Sequence, residues 1–361
     1  MSQVTRGREG APSTLEGVSK DVTRDPTDDP AGDWPGVRLH VVTGKGGTGK
    51  STVAAALALA LASRGQQVLL CEVEGRQGIA QLFDVPPLPY EERRIASGDD
   101  RDGEGGEVYA LAIEPEAALL EYLSMYYRLG RAGKALDRFG VIDFATTIAP
   151  GVRDVLLTGK VYEAVHRNKR GKNQREYDAV VLDAPPTGRI AQFLNVNSEL
   201  AGLAKVGPIR GQADSIMKLL RSDLTRVHLV TVLEDMPVQE TADGIGELTA
   251  DGLPVGGVVV NLVRNRELDA TARGLALEDR LPRDQIEADL VKAGVDVTPD
   301  LVTGLLREAR EHAERRELED EQRARIAALD VPTYELARQP DGIDLGALYE
   351  LAADLLDQGM A

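Results

Sequence analysis

Apolar residues recur along the chain in short continuous blocks, separated by longer stretches in which they return every three to four positions. The blocks at 37–43, 67–72, 108–113, 177–182, 226–233, 254–262 and 331–336 predict strands, most of them buried on both faces. The stretches at 51–64, 189–220, 238–248, 298–329 and 345–356 predict helices. Gly65 stands where the first helix would close, and Thr298-Pro299 is an N-cap followed by a first-turn proline. Residues 116–165 read as helices broken near Gly130, Gly133, Gly140 and Pro150-Gly151. Tyr122, Met125, Tyr126 and Leu129 recur there at the spacing of a core face or of a client groove. Strands alternating with helices predict an α/β fold, a doubly wound, mostly parallel sheet flanked by helices, with a helical insertion.

Composition sets the boundaries. Residues 1–35 are rich in Ser, Thr, Gly, Pro and Asp, lack apolar periodicity and read as a disordered leader. The main domain then spans 36–345, with helical segments at about 115–170 and 189–222, and a C-terminal helix occupies 346–361. The 361 residues carry 42 Lys and Arg against 59 Asp and Glu, a net charge of −17, which argues against a nucleic-acid or anionic-lipid surface. One cysteine, Cys71, excludes an internal disulfide and a Cys-based metal cluster, and a reducing cytoplasmic location is expected. The longest apolar run, 53–62, is too short to span a bilayer, so direct membrane insertion is not expected.

Between the first predicted strand and helix lies Gly44-Lys45-Gly46-Gly47-Thr48-Gly49-Lys50-Ser51-Thr52. It fits the phosphate-loop pattern in the strand–loop–helix setting that gives the pattern meaning, that of a P-loop NTPase. Glycines allow successive backbone N–H groups to converge on phosphates, and the helix N-terminus adds partial positive charge. In that reading Lys50 reaches the terminal phosphates of a nucleotide and the Ser51 hydroxyl ligates Mg²⁺. Two acids, Glu72 and Glu74, end the second strand at the edge where ligands bind in such sheets. One would hold a Mg²⁺-bound water and the other would orient the attacking water. Asp183 ends an apolar strand and reads as a second Mg²⁺ acid, followed by the restricted turn Pro185-Pro186-Thr187-Gly188.

The second loop lysine, Lys45, makes the pattern resemble the deviant Walker A class, in which that lysine points at a partner subunit's nucleotide. The same resemblance assigns water activation to Glu74. With GKGGTGKST, DAPPTG, LEDMPVQET, IEPEAALLEY and APGVRD on one chain, the sequence resembles the ArsA family of ATPases over about 37–341. Its excess of Arg over Lys and its Ala and Gly content match a high-GC, actinobacterial-type source. The resemblance implies ATP and Mg²⁺ as ligands, a dimer closed over the nucleotide face, and a client or membrane component as partner. It also implies that Asn261 reads adenine and that Pro332 lies in an adenine loop. Three departures stand out. No cysteine set exists for a metalloid site or a zinc clamp, Arg189 replaces the usual switch histidine, and Glu74-Gly75-Arg76-Gln77 replaces the usual switch-I run.

The expected function is a Mg²⁺-dependent ATPase, catalysing through Lys45, Glu74 and Asp183. It would act as a homodimer, or as a heterodimer with a paralogue, on an unidentified protein or transport partner. The alternatives are a non-hydrolysing or weakly active regulatory subunit of a hetero-oligomeric ATPase and a Min/Par-like spatial organiser. The acidic residues of the 345–356 helix count against the latter.

Overall fold

The computed structural model describes residues 32–99, 105–118, 120–121, 152–167, 175–203, 208–265 and 267–361. Most of the expected leader, the stripe from Tyr122 to Leu129, the breaks at Gly130, Gly133 and Gly140, and Pro150-Gly151 lie outside them.

Eight strands form one sheet: β1 (Leu39–Gly44), β2 (Val68–Glu72), β3 (Arg93–Ser97), β4 (Glu107–Ala112), β5 (Ala179–Asp183), β6 (Thr225–Thr231), β7 (Val255–Val263) and β8 (Thr333–Ala337). Their order is β3-β4-β2-β5-β1-β6-β7-β8, and every pairing is parallel except β3 with β4. The doubly wound, mostly parallel α/β sheet is thus observed. Among the strands, β3 is the one the apolar pattern misses. Arg93 and Arg94 are exposed at the sheet edge, and charge there discourages further pairing.

Helix α1 (Lys50–Ser63) is buried at every position from Val53 to Ala62. Its small Ala and Leu side chains let it lie between the sheet and the C-terminal helix α10 (Leu345–Asp357), whose Leu348, Leu351 and Leu355 are buried in the same cluster. The C-terminal helix is therefore part of the main unit rather than an appendage. Asp33 and Trp34 also join this unit. Asp33 N–H donates to Gly359 O (2.7 Å), and Trp34 packs edge-on against His228.

On the other face lie α3 (Val152–His166), α4 (Thr187–Leu203) and α5 (Pro208–Leu220), with α2 (Gly78–Leu82) following the β2 exit loop. Leu157, Val161, Ile190 and Phe193 pack there on Leu39, Cys71 and Leu182. Burial pushes the Cys71 thiol up to about 12, so it stays protonated as a small core hydrophobe. The helical stretch expected at 189–220 comprises α4 and α5. Helix α6 (Asp235–Ala250) follows β6, and α9 (Pro299–Ala327) starts on the Thr298 cap as expected, its Leu301 N–H donating to Thr298 Oγ1 (3.2 Å). Two helices, α7 (Ala270–Leu277) and α8 (Arg283–Lys292), precede it without a signal in the apolar pattern, because α7 buries only Ala276 and α8 buries nothing. No helix of the described residues is long and apolar enough to cross a membrane.

Candidate functional site

The site forms where β1 runs into α1. Two glycines hold the turn by geometry. A Cβ on Gly44 would lie 2.2 Å from Val230 O, and one on Gly49, at φ +87°, would lie 2.3 Å from the Asn261 amide nitrogen. Gly46 and Gly47 are exposed with open space where a side chain would stand, leaving the backbone free to meet a ligand. Thr48 is buried and folds back on the loop, its hydroxyl donating to Lys45 O (2.9 Å). Lys50 is buried at the helix start, while Ser51 and Thr52 are half-buried in its first turn.

The β2 and β5 strands end side by side, with Glu72 paired in register to Asp183. The Ser51 hydroxyl donates to Asp183 Oδ2 at 2.5 Å. Burial pushes the Asp183 carboxyl up to about 6, with Glu72 and Glu74 adding to the push and the Ser51 hydrogen bond and Lys50 opposing it. A hydroxyl and a carboxylate in contact beside a lysine are a hard-oxygen donor pair suited to Mg²⁺, which needs few protein ligands when phosphates supply the rest. Beyond the strand, Thr43 Oγ1 donates to Pro185 O (2.7 Å), tying the DAPPTG turn to the end of β1.

The other expected residues occupy more specific places. Glu72 faces the start of α2, where its carboxylate accepts from Gly78 N–H (3.2 Å) and Ile79 N–H (3.5 Å). Glu74 is partly exposed, with Arg76 Nε 3.7 Å from its Oε2. Asn261 is buried and its amide donates to Thr48 O (2.9 Å), so it holds the phosphate loop from behind. Lys45 turns toward α6 of its own chain, donating to Glu240 Oε1 at 2.6 Å.

Pro332 precedes β8, at the end of that strand away from the phosphate loop. Val260 pairs with Glu335, so Pro332 lies three positions back from that row, and its carbonyl accepts from Val258 N–H (2.8 Å). Asn261 lies one position forward, toward the edge that carries the phosphate loop. The segment reaching that edge is the one after β8, where Arg338 N–H donates to Val263 O (2.8 Å) and Pro340 follows two residues on. Strand register, not residue type, distinguishes the two prolines. Glu240 was missed for a related reason, since nothing local marks an acid 195 positions from Lys45 as its partner.

A parallel sheet whose first strand feeds a glycine loop and a buried lysine at a helix N-terminus defines a P-loop nucleotide-binding protein. Within that class, the family model described as anion-transporting ATPase matches residues 37–223, and the chain belongs to this ArsA ATPase family. It is 54% identical over 331 residues to ATPase BagA of Mycobacterium tuberculosis, covering 91% of this chain and 96% of that one. More distant likenesses are ATPase GET3 of Kluyveromyces lactis, 25% identical over 266 residues (64% and 74% of the two chains), and a protein of Prosthecochloris vibrioformis provisionally named an arsenical pump-driving ATPase, 29% identical over 265 residues (62% and 61%).

Proposed function

We propose that this chain binds and hydrolyses ATP in the cytoplasm with Mg²⁺ as the metal. The Ser51–Asp183 contact beside buried Lys50 is the observation that carries the reading. Backbone N–H groups from Gly46 to Ser51 cradle the phosphates and Lys50 neutralises their charge. Ser51 and Asp183 would hold the metal, which supplies charge neutralisation on the phosphoryl oxygens. Glu72 positions the loop after β2, leaving Glu74 as the acid of that loop to orient water. Asn261 sets the height of the loop, and adenine occupies the space between β7's exit and the 338–343 segment.

Lys45 gives this reading its oligomeric form. Lys50 already serves the phosphates within the chain, and a second lysine on the loop's outer side is useful to a second nucleotide face. The working unit is a dimer closed by ATP, with itself or a paralogue, handling a protein or transport client through the α3–α5 side. Two negatively charged faces brought together need such offsetting cations. A weakly hydrolysing regulatory partner is the second reading, favoured by the ion pair that engages Glu74.

Calorimetric titration of the purified chain with a non-hydrolysable ATP analogue and Mg²⁺, beside Lys50→Ala, tests the binding. The variant should lose at least about 100-fold in affinity, roughly 3 kcal/mol. Equal affinities in two folded proteins would overturn the site. Light scattering without nucleotide, with ADP and with the analogue tests the dimer, which a monomer in all three states with full turnover would overturn.

A further inference from the structure

We propose that Arg76 is an arginine finger acting on the nucleotide of its own chain, an inference that rests on the ATPase reading above. The loop carrying it is held at both ends. On one side, Arg153 Nη2 donates to Val73 O at 3.4 Å. On the other, Glu72 accepts the N–H groups of Gly78 and Ile79, and the Gln77 side-chain amide brackets Leu88, donating to its carbonyl (3.1 Å) and accepting its N–H (2.7 Å). Between these anchors Gly75 and Gln77 take left-handed conformations, at φ +67° and +56°, which bend the loop sharply. A Cβ on Gly78 would lie 3.7 Å from Ser51 Oγ, so the loop runs directly against the hydroxyl expected beside the terminal phosphates.

Within this fixed frame the Arg76 side chain is 76% exposed, and the ion pair described for it is the long one to Glu74, at 3.7 Å. An exposed pair at that distance holds its arginine weakly. A terminal phosphate with several negative oxygens, two residues from the Ser51-contacting glycine, is a stronger partner for a planar guanidinium. Arg76 would leave Glu74 for the γ-phosphate as the nucleotide enters. That exchange also frees Glu74 to orient water.

In the step itself, water forms a new oxygen–phosphorus bond to the γ-phosphorus, and the bond to the β–γ bridging oxygen breaks with its electron pair leaving on ADP. The water proton passes to Glu74 and then to the phosphate product. Charge moves onto the bridging and equatorial oxygens as this happens, and a guanidinium already placed against them lowers the barrier. Lys45 does not serve this purpose in the same chain, since Glu240 draws it toward α6.

The test compares wild type, Arg76→Ala and Arg76→Lys in three measurements: affinity for a non-hydrolysable ATP analogue, kcat, and retention of ADP in the presence of aluminium fluoride. Arg76→Ala should lose no more than about tenfold in affinity for the analogue, lose at least about 100-fold in kcat and fail to retain ADP–aluminium fluoride. Arg76→Lys should recover part of both losses. Its exposure means the substitution leaves folding intact, and an unchanged melting temperature would show that. Wild-type kcat and retention in Arg76→Ala, or a kcat that rises because Glu74 is released, would overturn the finger. A loss in Arg76→Ala that is restored by mixing with a Lys50→Ala chain would place the arginine in trans and overturn the assignment to its own chain. A wild type that neither binds the analogue nor retains ADP would overturn the ATPase reading, and the finger with it.

Discussion

Lys45 and Glu240 are joined by a 2.6 Å ion pair that spans the phosphate loop and α6 of one chain. Both side chains are about one-third exposed, at 32% and 37%, so the pair adds under about 1 kcal/mol to folding. Its consequence is positional. A lysine proposed to serve a partner's nucleotide must first leave Glu240. Glu240→Gln should keep the melting temperature within about 2 °C and shift ATP-dependent association to lower protein concentration. Light scattering across a concentration series reads this, and an unchanged association midpoint would show that the pair does not restrain Lys45. Lys45→Ala should lower kcat far more than affinity.

Asn261 and Thr48 lie 213 positions apart in sequence and meet through one buried hydrogen bond. Asn261→Ala leaves Thr48 O without its donor and should cost about 1–3 kcal/mol of stability. Because Asn261 supports the loop from behind, phosphate binding should weaken whether or not a base is present. Inorganic tripolyphosphate and ATP should each lose about tenfold in affinity, a shift of about 1.4 kcal/mol. Loss confined to ATP would make Asn261 a reader of the base instead.

Helix α3 touches both exit loops with consecutive residues. Arg153 donates to Val73 O, and Asp154 Oδ1 stands 3.9 Å from Arg189 Nη2, just past the DAPPTG turn. Burial pushes the Asp154 carboxyl above its usual range despite Arg189 and Arg153, so this acid is held partly desolvated between the loops. Nucleotide binding that reorders the loops should therefore be felt in α3. Hydrogen exchange of α3 should slow on addition of the ATP analogue in wild type and respond about half as much or less in Asp154→Asn. Identical responses in the two proteins would remove Asp154 from that connection.

Much of the fold is legible because its signals are local. Six of the seven strand blocks are parallel strands with near-continuous burial, and the glycine loop carries its own chemistry within nine residues. The strand end that carries Asp183 is legible in the apolar block before it. What escaped depends on register or on distant pairing. Pro332 and Pro340 flank the same short strand, and only the pairing of Val260 with Glu335 tells which end faces the site. Arg93 and Arg94 conceal β3, since an edge strand needs no apolar alternation to pair on one side. Helices α7 and α8 bury too little to leave a period, and charged groups such as Arg273 with Asp320 (2.6 Å) tie α7 to α9 instead. The contact of the Glu72 carboxylate with the α2 backbone is likewise a partner no residue spacing reveals.

The buried imidazoles of His40 and His228 make the fold sensitive to acid, with a sign that the hydrogen bonds determine. Gly257 N–H donates to His228 Nδ1 (3.1 Å), which must therefore be unprotonated. The His228 proton then sits on Nε2 and is donated to His40 Nδ1, also at 3.1 Å, so both rings are neutral. They stack 5.4 Å apart beneath Trp34. Burial, assisted by Arg226, lowers His40 to about 4, and burial, His40 and Arg226 hold His228 well below 6.5. Unfolding restores the ordinary value of about 6.5, so below that pH the unfolded chain takes up protons that the folded chain refuses. The stability contributed by His40 is complete above pH 6.5 and is lost as pH falls toward 4, on the order of 3 kcal/mol in all. Denaturant unfolding between pH 7.5 and 4.5 should show this beside His40→Gln, whose carbonyl can accept the His228 proton. The difference between the two stabilities should shift in favour of the variant by up to about 1.4 kcal/mol per pH unit below 6.5. Parallel profiles would mean that His40 titrates alike in the folded and unfolded chains.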